Sequence, residues 1–157
     1  MLLKNKKILL VISGGIAAYK CVELVRLLTK AGARVRVIMT QHAQWFVGPT
    51  TFGALSGEPV YDKLFQADRD SSIRHIEWAE NADAVIVAPA TANIIGKMTN
   101  GIADDALSTF LMAVTAPIIV CPSMNTHMYE SRAVQRNLCA LKSDGCCVLE
   151  PGSGQLA

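Results

Sequence analysis

The residues whose types and spacing could do chemistry begin with a Ser13-Gly14-Gly15 turn. The turn follows an apolar run at 8–12, typical of a strand buried on both faces, and precedes an amphipathic helix that ends at Gly32. The free N–H groups and positive dipole end of that helix point at the turn, where a phosphate can bind. Two interpretations remain open for this stretch: a mononucleotide phosphate site, or a tight structural turn from strand to helix.

The pattern around this turn does not match two common nucleotide motifs. Ser-Gly-Gly-Ile-Ala-Ala satisfies neither the G-x-G-x-x-G fingerprint nor the Walker pattern. Thr40 follows the second predicted strand, at the position where a dinucleotide fold would place an acidic residue for the ribose. A hydroxyl at this position suits a phosphate better. His42 follows, and a solvated helix residue is its more common role, a catalytic base the less common one.

Further candidates lie at the ends of two later predicted strands and before the first of them. Thr91, Asn93 and Asn125 can each cap the helix that follows, and the same polar atoms could contact a ligand. His75 taken alone is most simply a solvated residue at a helix start. Its ordinary pKa near neutrality would also suit proton transfer.

The elements that position these residues alternate between strand and helix. Strands are predicted at 8–12, 34–39, 59–61, 84–88, 117–121 and 146–150. This alternation is typical of an α/β fold with one doubly wound parallel sheet, Rossmann-like or flavodoxin-like, in the order 3-2-1-4-5-6. Ligands bind such sheets at the switch point, beyond the carboxyl ends of the strands. We therefore expect one crevice formed by the stretches 13–16, Thr40, 89–93 and 122–125.

Two helices carry specific expectations. The first is predicted from residue 16, and its apolar stripe consists of Ile16, Tyr19, Val22, Val25 and Leu28. The second is predicted at 103–115, with Asp104 and Asp105 in its first turn. Adjacent residues cannot face each other on a helix, so we interpret this pair as opposing the helix dipole or lying at an interface. The polar stretch 62–72 is predicted to be a surface loop.

Composition limits the class of protein. The chain has 157 residues, of which 51% are hydrophobic, and a net charge of +2, which fits one domain. The basic residues form no stripe, so no nucleic-acid partner is expected. Five cysteines without C-x-x-C spacing indicate a reduced, cytoplasmic protein without a metal site. No export signal and no apolar run of about 18 residues is present, so no membrane partner is expected.

Four segments together resemble a known enzyme family, the homo-oligomeric flavin-containing cysteine decarboxylases. They are Ser-Gly-Gly-Ile-Ala-Ala-Tyr-Lys at 13–20, Ala-Pro-Ala-Thr-Ala-Asn at 88–93, Gly-Ile-Ala-Asp-Asp-Ala-Leu-Ser-Thr at 101–109 and Pro-Ser-Met-Asn-Thr-His-Met-Tyr at 122–129. The likeness covers essentially the whole chain and is greatest to the branch that acts on 4'-phosphopantothenoylcysteine. The Pro-x-Met-Asn segment and the His75-Ile76 pair distinguish this branch from the flavin prenyltransferases, which share the fold and the FMN site.

The resemblance implies a role for particular residues. FMN would be the cofactor, with its phosphate and ribityl end held by Gly14, Gly15, Ile16 and Thr40. Its ring or the interface around it would be lined by Thr91, Ala92, Asn93, Ser108, Ser123 and Met124. The resemblance also implies that His75 is the active-site base and that Asn125 binds the substrate carboxylate.

The implied reaction is the FMN-dependent oxidative decarboxylation of 4'-phosphopantothenoylcysteine towards 4'-phosphopantetheine, in coenzyme A biosynthesis. Loss of carbon dioxide needs an electron sink, which flavin creates by oxidising the cysteine thiol. Family members are homotrimers or dodecamers of trimers, and a phosphopantothenoylcysteine synthetase can be fused or separate. The alternatives are a peptidyl-cysteine decarboxylase, a flavin prenyltransferase, or a non-catalytic regulatory relative.

The resemblance also bears on domain boundaries. Residues 1–157 correspond to a single FMN-binding decarboxylase domain, cut just before the substrate flap. The family carries a Cys-Gly pair on that flap, which would be expected after Ala157, and none of the five cysteines takes its place. We expect a chain ending there to bind FMN and decarboxylate oxidatively, but to complete the catalytic cycle poorly.

Overall fold

The computed structural model describes residues 2–62 and 79–152. Its elements are β1 (Lys7–Ile12), α1 (Ala18–Lys30), β2 (Arg34–Met39), α2 (Pro49–Ser56), β3 (Ala84–Ala90), α3 (Ala92–Asn100), α4 (Ala106–Ala113), β4 (Ile118–Pro122), α5 (Thr126–Tyr129), α6 (Arg132–Ser143) and β5 (Cys147–Val148). A 3-10 turn at His42–Trp45 follows β2. His75 and nearly all of the predicted 62–72 loop lie outside the described residues.

The strands form one parallel sheet in the order β2-β1-β3-β4-β5. Leu10 of β1 lies opposite Val37 on one side and Ile86 on the other. Tyr61 forms an isolated parallel bridge with Ile38, so the predicted strand at 59–61 is reduced to a bridge beside β2. The predicted α/β class and strand order are therefore confirmed, but the structure at each edge of the sheet is shorter than the predicted strands at 59–61 and 146–150.

Side chains of β1 pack on both faces of the sheet, as the continuous apolar run predicts. Leu9 and Val11 belong to a core shared with α3, α4 and α6, whereas Leu10 and Ile12 belong to a core shared with α1 and α2. Complete burial of such a side chain stabilises the fold by about 1.5–3 kcal/mol. The two cores place helices on each face, which leaves the carboxyl edge of the sheet for the loops.

Helix α1 confirms only part of the predicted stripe: Val25 is buried, and Val22 and Leu28 pack against the core. Its buried residues are Ala18, Cys21 and Val25, while Ile16 and Tyr19 are each 56% exposed. The stripe predicted through Ile16 and Tyr19 is therefore wrong at those two positions. Small side chains at Ala18 and Cys21 let the helix approach the sheet closely, so the larger residues stay outside.

Helix α4 begins three residues later than predicted. Its first residue is Ala106, and Asp105 is its N-cap, with Oδ1 accepting from the Ser108 N–H at 2.8 Å. The expectation that Asp104 and Asp105 occupy the first turn is therefore wrong. Gly101 has a φ of +63° and ends α3, so the chain needs the intervening residues to turn before a new helix starts.

No helix within the described residues combines the length and apolar character needed to cross a membrane.

Candidate functional site

A cleft of about 1200 Å³ lies beyond the carboxyl ends of the strands, where the strand order reverses. It is built from the loops after β1, β2, β3 and β4, which are the four stretches expected to converge. Of the residues with an expected role, those that line it are Gly14, Gly15, Ile16, Thr40, Thr91, Ala92, Asn93, Ser123, Met124 and Asn125. The fold thus brings together ten residues that are far apart in sequence.

The glycine turn packs tightly against the loop after β2. A Cβ on Gly14 would lie 2.5 Å from His42 Cβ and 3.1 Å from the His42 carbonyl carbon, so no side chain fits there. A Cβ on Gly15 would make an ordinary contact, 3.4 Å from Thr91 Cγ2. Within the described part of the chain, the N–H groups of Gly14, Ile16 and Ala17 donate to no acceptor. These donors remain available for an anion at the start of α1.

Thr40 closes the second loop of the site. Its N–H donates to the Ile12 carbonyl at 3.0 Å, which holds the end of β2 beside the end of β1. Its Oγ1 accepts from the Ala43 N–H at 3.1 Å and caps the 3-10 turn, as expected for a capping threonine. The hydroxyl hydrogen has no acceptor among the described residues, so Thr40 can still donate to a ligand.

Ser13 and Thr91 join the two central loops. Ser13 is 2% exposed, and its Oγ lies 2.5 Å from the Pro89 carbonyl oxygen. The Thr91 N–H donates to Ser13 Oγ at 3.1 Å, and the two hydroxyl oxygens are also 3.1 Å apart. Thr91 Oγ1 is in addition the N-cap acceptor for Ile94, at 3.5 Å. The turn after β1 is therefore bonded directly to the turn after β3.

Asn125 lies at the end of the cleft formed by the loop after β4. Its Oδ1 accepts from the His127 N–H at 2.9 Å, which caps the short helix α5. The side-chain NH₂ group donates to no acceptor in the described chain. The capping role and the capacity to donate to a ligand are therefore compatible in this one side chain.

Lys97 is a cleft residue that is absent from the sequence-based predictions. Its Nζ lies 2.6 Å from Asp104 Oδ1 and 2.6 Å from Asp105 Oδ2, and its side chain is 16% exposed. Burial lowers the pKa of Lys97, but hydrogen bonds to both carboxylates outweigh this effect, and the net pKa is raised. Lys97 is thus a charged ammonium group in the cleft wall. Its i, i+4 spacing from Asn93 was the signal that could have placed it on the same helix face.

Two other candidates are not placed at the cleft. Ser108 is 3% exposed, and its Oγ lies 2.8 Å from Asp105 Oδ1 within the capping box of α4, behind the cleft wall. His75 lies outside the described residues, so its geometry relative to the cleft stays a prediction.

The described part of the chain offers neither a metal site nor a thiol at the cleft. No group of three His, Cys, Asp or Glu side chains there is arranged to hold a metal ion. All five cysteines are described, and none lines the cleft. Burial and the nearby Cys121 raise the pKa of the Cys21 thiol to about 12, and its Sγ donates to the Ala88 carbonyl at 3.0 Å. Cys21 is therefore a protonated packing residue.

Comparisons with known proteins agree with this architecture. A family model described as Flavoprotein matches residues 2–157. The chain is 53% identical over 156 residues to the coenzyme A biosynthesis bifunctional protein CoaBC of Bacillus subtilis (strain 168), covering 99% of this chain and 38% of that protein. It is 47% identical to the protein of the same name from Escherichia coli (strain K12), and the match covers 100% of this chain and 39% of that protein. The chain therefore spans less than two fifths of the length of these curated relatives.

Solved structures with the same fold include two proteins named as decarboxylases. The FMN-dependent cysteine decarboxylase SpaF superposes with a TM-score of 0.88 at 29% identity, covering 98% of this chain and 88% of that one. A mutant PPC decarboxylase complexed with pantothenoylaminoethenethiol superposes with a TM-score of 0.82 at 27% identity, covering 98% and 86%.

Proposed function

Because the chain belongs to the Flavoprotein family, we propose that it binds FMN in this cleft and decarboxylates 4'-phosphopantothenoylcysteine towards 4'-phosphopantetheine. The observation that carries the proposal is the cleft itself, in which unpaired N–H donors at the start of α1 face a pocket at the switch point of a parallel sheet. The high identity to CoaBC proteins over 99% of this chain supports the substrate.

The residues present fit FMN. The N–H groups of Gly14, Ile16 and Ala17 and the hydroxyl of Thr40 form a donor-rich end suited to a phosphate. Apolar side chains that could pack on a flavin ring line the cleft at Met39, Ala92, Leu107 and Met124. A volume of about 1200 Å³ exceeds the ordinary ligand pocket of about 300–1,000 Å³, which leaves room for a substrate beside the cofactor.

The chain's own residues bind the substrate and move its protons. When bound, FMN supplies a two-electron acceptor for the carbon that bears the substrate thiol. Asn125 can donate its side-chain NH₂ to the substrate carboxylate while its Oδ1 stays bonded to His127. Because this donor is neutral, it orients the carboxylate without a full positive charge that would resist departure of carbon dioxide. His75 is assigned as the base that accepts a proton from the substrate's cysteine, since its ordinary pKa lies near neutrality.

We also assign partners. Exposed apolar side chains near the cleft, at Ile16, Tyr19 and Met128, support a homotrimer, alone or as a dodecamer of trimers, with subunits meeting around the site. The greater length of the CoaBC relatives and their bifunctional name support a fused or separate phosphopantothenoylcysteine synthetase as partner. Five free cysteines support a cytoplasmic location.

An absorbance spectrum of the purified protein, with and without added FMN, tests the first step. A bound flavin band at about 450 nm is expected. Addition of 4'-phosphopantothenoylcysteine without oxygen is then expected to bleach this band and release carbon dioxide. A protein that cannot be loaded with FMN would refute cofactor binding. A loaded protein that bleaches only with C-terminal peptidyl cysteine would refute the substrate and favour a peptidyl-cysteine decarboxylase.

A further inference from the structure

The hydrogen bond from Ser13 to Pro89 restricts how the Ser13 hydroxyl can bond to its other neighbours. A serine hydroxyl has one hydrogen. Ser13 Oγ lies 2.5 Å from the Pro89 carbonyl oxygen, which can only accept, so the Ser13 hydrogen is directed at Pro89. Ser13 is 2% exposed, so water does not compete for this bond. Its oxygen can therefore only accept from its remaining neighbours.

The remaining neighbours of Ser13 Oγ are both in Thr91. The Thr91 N–H donates to it at 3.1 Å. Thr91 Oγ1 also lies 3.1 Å away, and because the single Ser13 hydrogen is directed at Pro89, a hydrogen bond between the two hydroxyls has Thr91 as its donor. Thr91 Oγ1 in turn accepts from the Ile94 N–H at 3.5 Å. The single hydrogen of Thr91 is thus directed at Ser13, away from the cleft that Thr91 lines.

We propose that Ser13 is a positioning residue that fixes the Thr91 hydroxyl as a hydrogen-bond acceptor towards the cleft, where it selects an N–H donor of the bound flavin. This inference rests on the proposed binding of FMN. The flavin ring carries an N–H at N3 in both redox states, and one at N5 only when reduced. Either N–H group can donate a hydrogen bond to Thr91 Oγ1. A ligand that offers only acceptor atoms at this position is disfavoured.

Replacement of Ser13 should remove this polarity without removing the Thr91 hydroxyl. In Ser13→Ala the Thr91 hydrogen loses its acceptor and can rotate into the cleft, so the hydroxyl can donate as well as accept. Thr91→Val removes the hydroxyl at nearly constant shape, and Thr91→Ser keeps it. The double variant Ser13→Ala/Thr91→Val shows whether Ser13 acts through Thr91.

The experiment measures two preferences in each variant. The first is the ratio of the dissociation constants of 3-methyl-FMN and FMN, from flavin fluorescence, which reports an N3–H contact. The second is the ratio of the binding constants of reduced and oxidised FMN, obtained from the midpoint potential of bound FMN, which reports an N5–H contact in the reduced state. We expect Thr91→Val to lower one of these preferences by about five- to ten-fold in binding constant. Ser13→Ala should lower the same preference, and Thr91→Ser should retain it. In the double variant the preference should be no lower than in Thr91→Val alone.

Several results would overturn the proposal. Ser13→Ala could leave both preferences unchanged while Thr91→Val alters one, or the two effects could multiply in the double variant. The proposal would also be overturned if Thr91→Val changed neither preference. If Ser13→Ala does not fold, Thr91→Val and Thr91→Ser still test the acceptor. Failure of the wild-type chain to bind FMN is a separate result, which refutes the proposed function instead.

Discussion

Lys97 Nζ lies 2.6 Å from Asp105 Oδ2, and this ion pair joins the cleft-facing side of α3 to the N-cap of α4. Asp105 holds both the ammonium and the Ser108 N–H, at 2.8 Å, with different oxygens of one carboxylate. Burial raises the pKa of Asp105, but the bonds to Lys97 and Ser108 outweigh burial, and the net pKa is lowered. A single side chain therefore caps α4 and helps to hold the Lys97 ammonium in the cleft wall.

Replacement of Asp105 should consequently destabilise the fold more than replacement of its neighbour. We expect Asp105→Ala to lower the free energy of unfolding by about 1–2 kcal/mol, because the helix cap is lost. Asp104 contacts the same ammonium but is 60% exposed, so Asp104→Ala should cost no more than about 1 kcal/mol. Urea denaturation of both variants gives the comparison. Equal losses would contradict the capping role.

Gly14 is expected to be intolerant of a side chain. The Cβ of Gly14→Ala would lie 2.5 Å from His42 Cβ, so the two loops must separate, at a cost of about 1–3 kcal/mol. FMN affinity should fall as well, because the same turn supplies the free N–H groups. Gly15→Ala is the matched control, since its Cβ would make only ordinary contacts, with Thr91 Cγ2 at 3.4 Å and Pro89 Cγ at 3.8 Å, and should cost less than about 1 kcal/mol. Denaturation and FMN titration of both variants test this, and indistinguishable variants would refute it.

Asn125 allows capping and substrate binding to be separated. In Asn125→Asp an oxygen can still accept from the His127 N–H, so the unfolding free energy should stay within about 0.5 kcal/mol of wild type. Decarboxylation should fall by about ten-fold or more, because a new carboxylate beside the substrate carboxylate costs several kcal/mol. Asn125→Ala removes the cap and should lose about 1 kcal/mol of stability as well. Carbon dioxide release and urea denaturation measure the two effects. Undiminished turnover in Asn125→Asp would rule out contact with the substrate carboxylate.

Glu58 should make stability depend on acid pH. The Arg34 hydrogen bond at 2.8 Å, with a weaker one from Arg36 at 3.4 Å, lowers the pKa of Glu58 from its ordinary value of 4.5. As pH falls, the unfolded chain binds this proton first, so the stabilisation is complete above that ordinary pKa and is lost as pH falls through the folded-state pKa.

The measurement is the unfolding free energy of wild type and Glu58→Gln between about pH 7 and pH 3. Glu58→Gln should be less stable at neutral pH, and the difference should shrink on acidification. Glu23→Gln serves as control, because Glu23 is 59% exposed and pairs with Arg26 within one helix. A difference that is constant across this pH range would refute the role of the Glu58 carboxylate.

Much of the fold follows from local patterns. The apolar run of β1 is buried on both faces, Thr40, Thr91, Asn125 and Ser131 each cap the turn or helix that follows, and Gly32 and Gly57 adopt positive φ where helices end. Each of these features depends on residues within about four positions of one another, as in helix capping. That is why the positions of these strands, turns and helix caps were predictable, whereas the strand order was predicted from the general rule for alternating strands and helices.

Other features depend on packing between distant segments, which no local pattern contains. Large apolar residues at three-residue steps wrongly placed Ile16 and Tyr19 on the buried face of α1, because only contact with the sheet favours Ala18 and Cys21 there. The ion pair of Lys97 exists because the chain turns after α3 and brings Asp105 back to it. Ser13 and Thr91 are 78 residues apart, and their shared hydrogen bond exists because β1 and β3 are neighbours in the sheet. Periodicity and capping are short-range properties of a chain, whereas the direction of a buried hydroxyl is determined by whichever groups the fold packs around it.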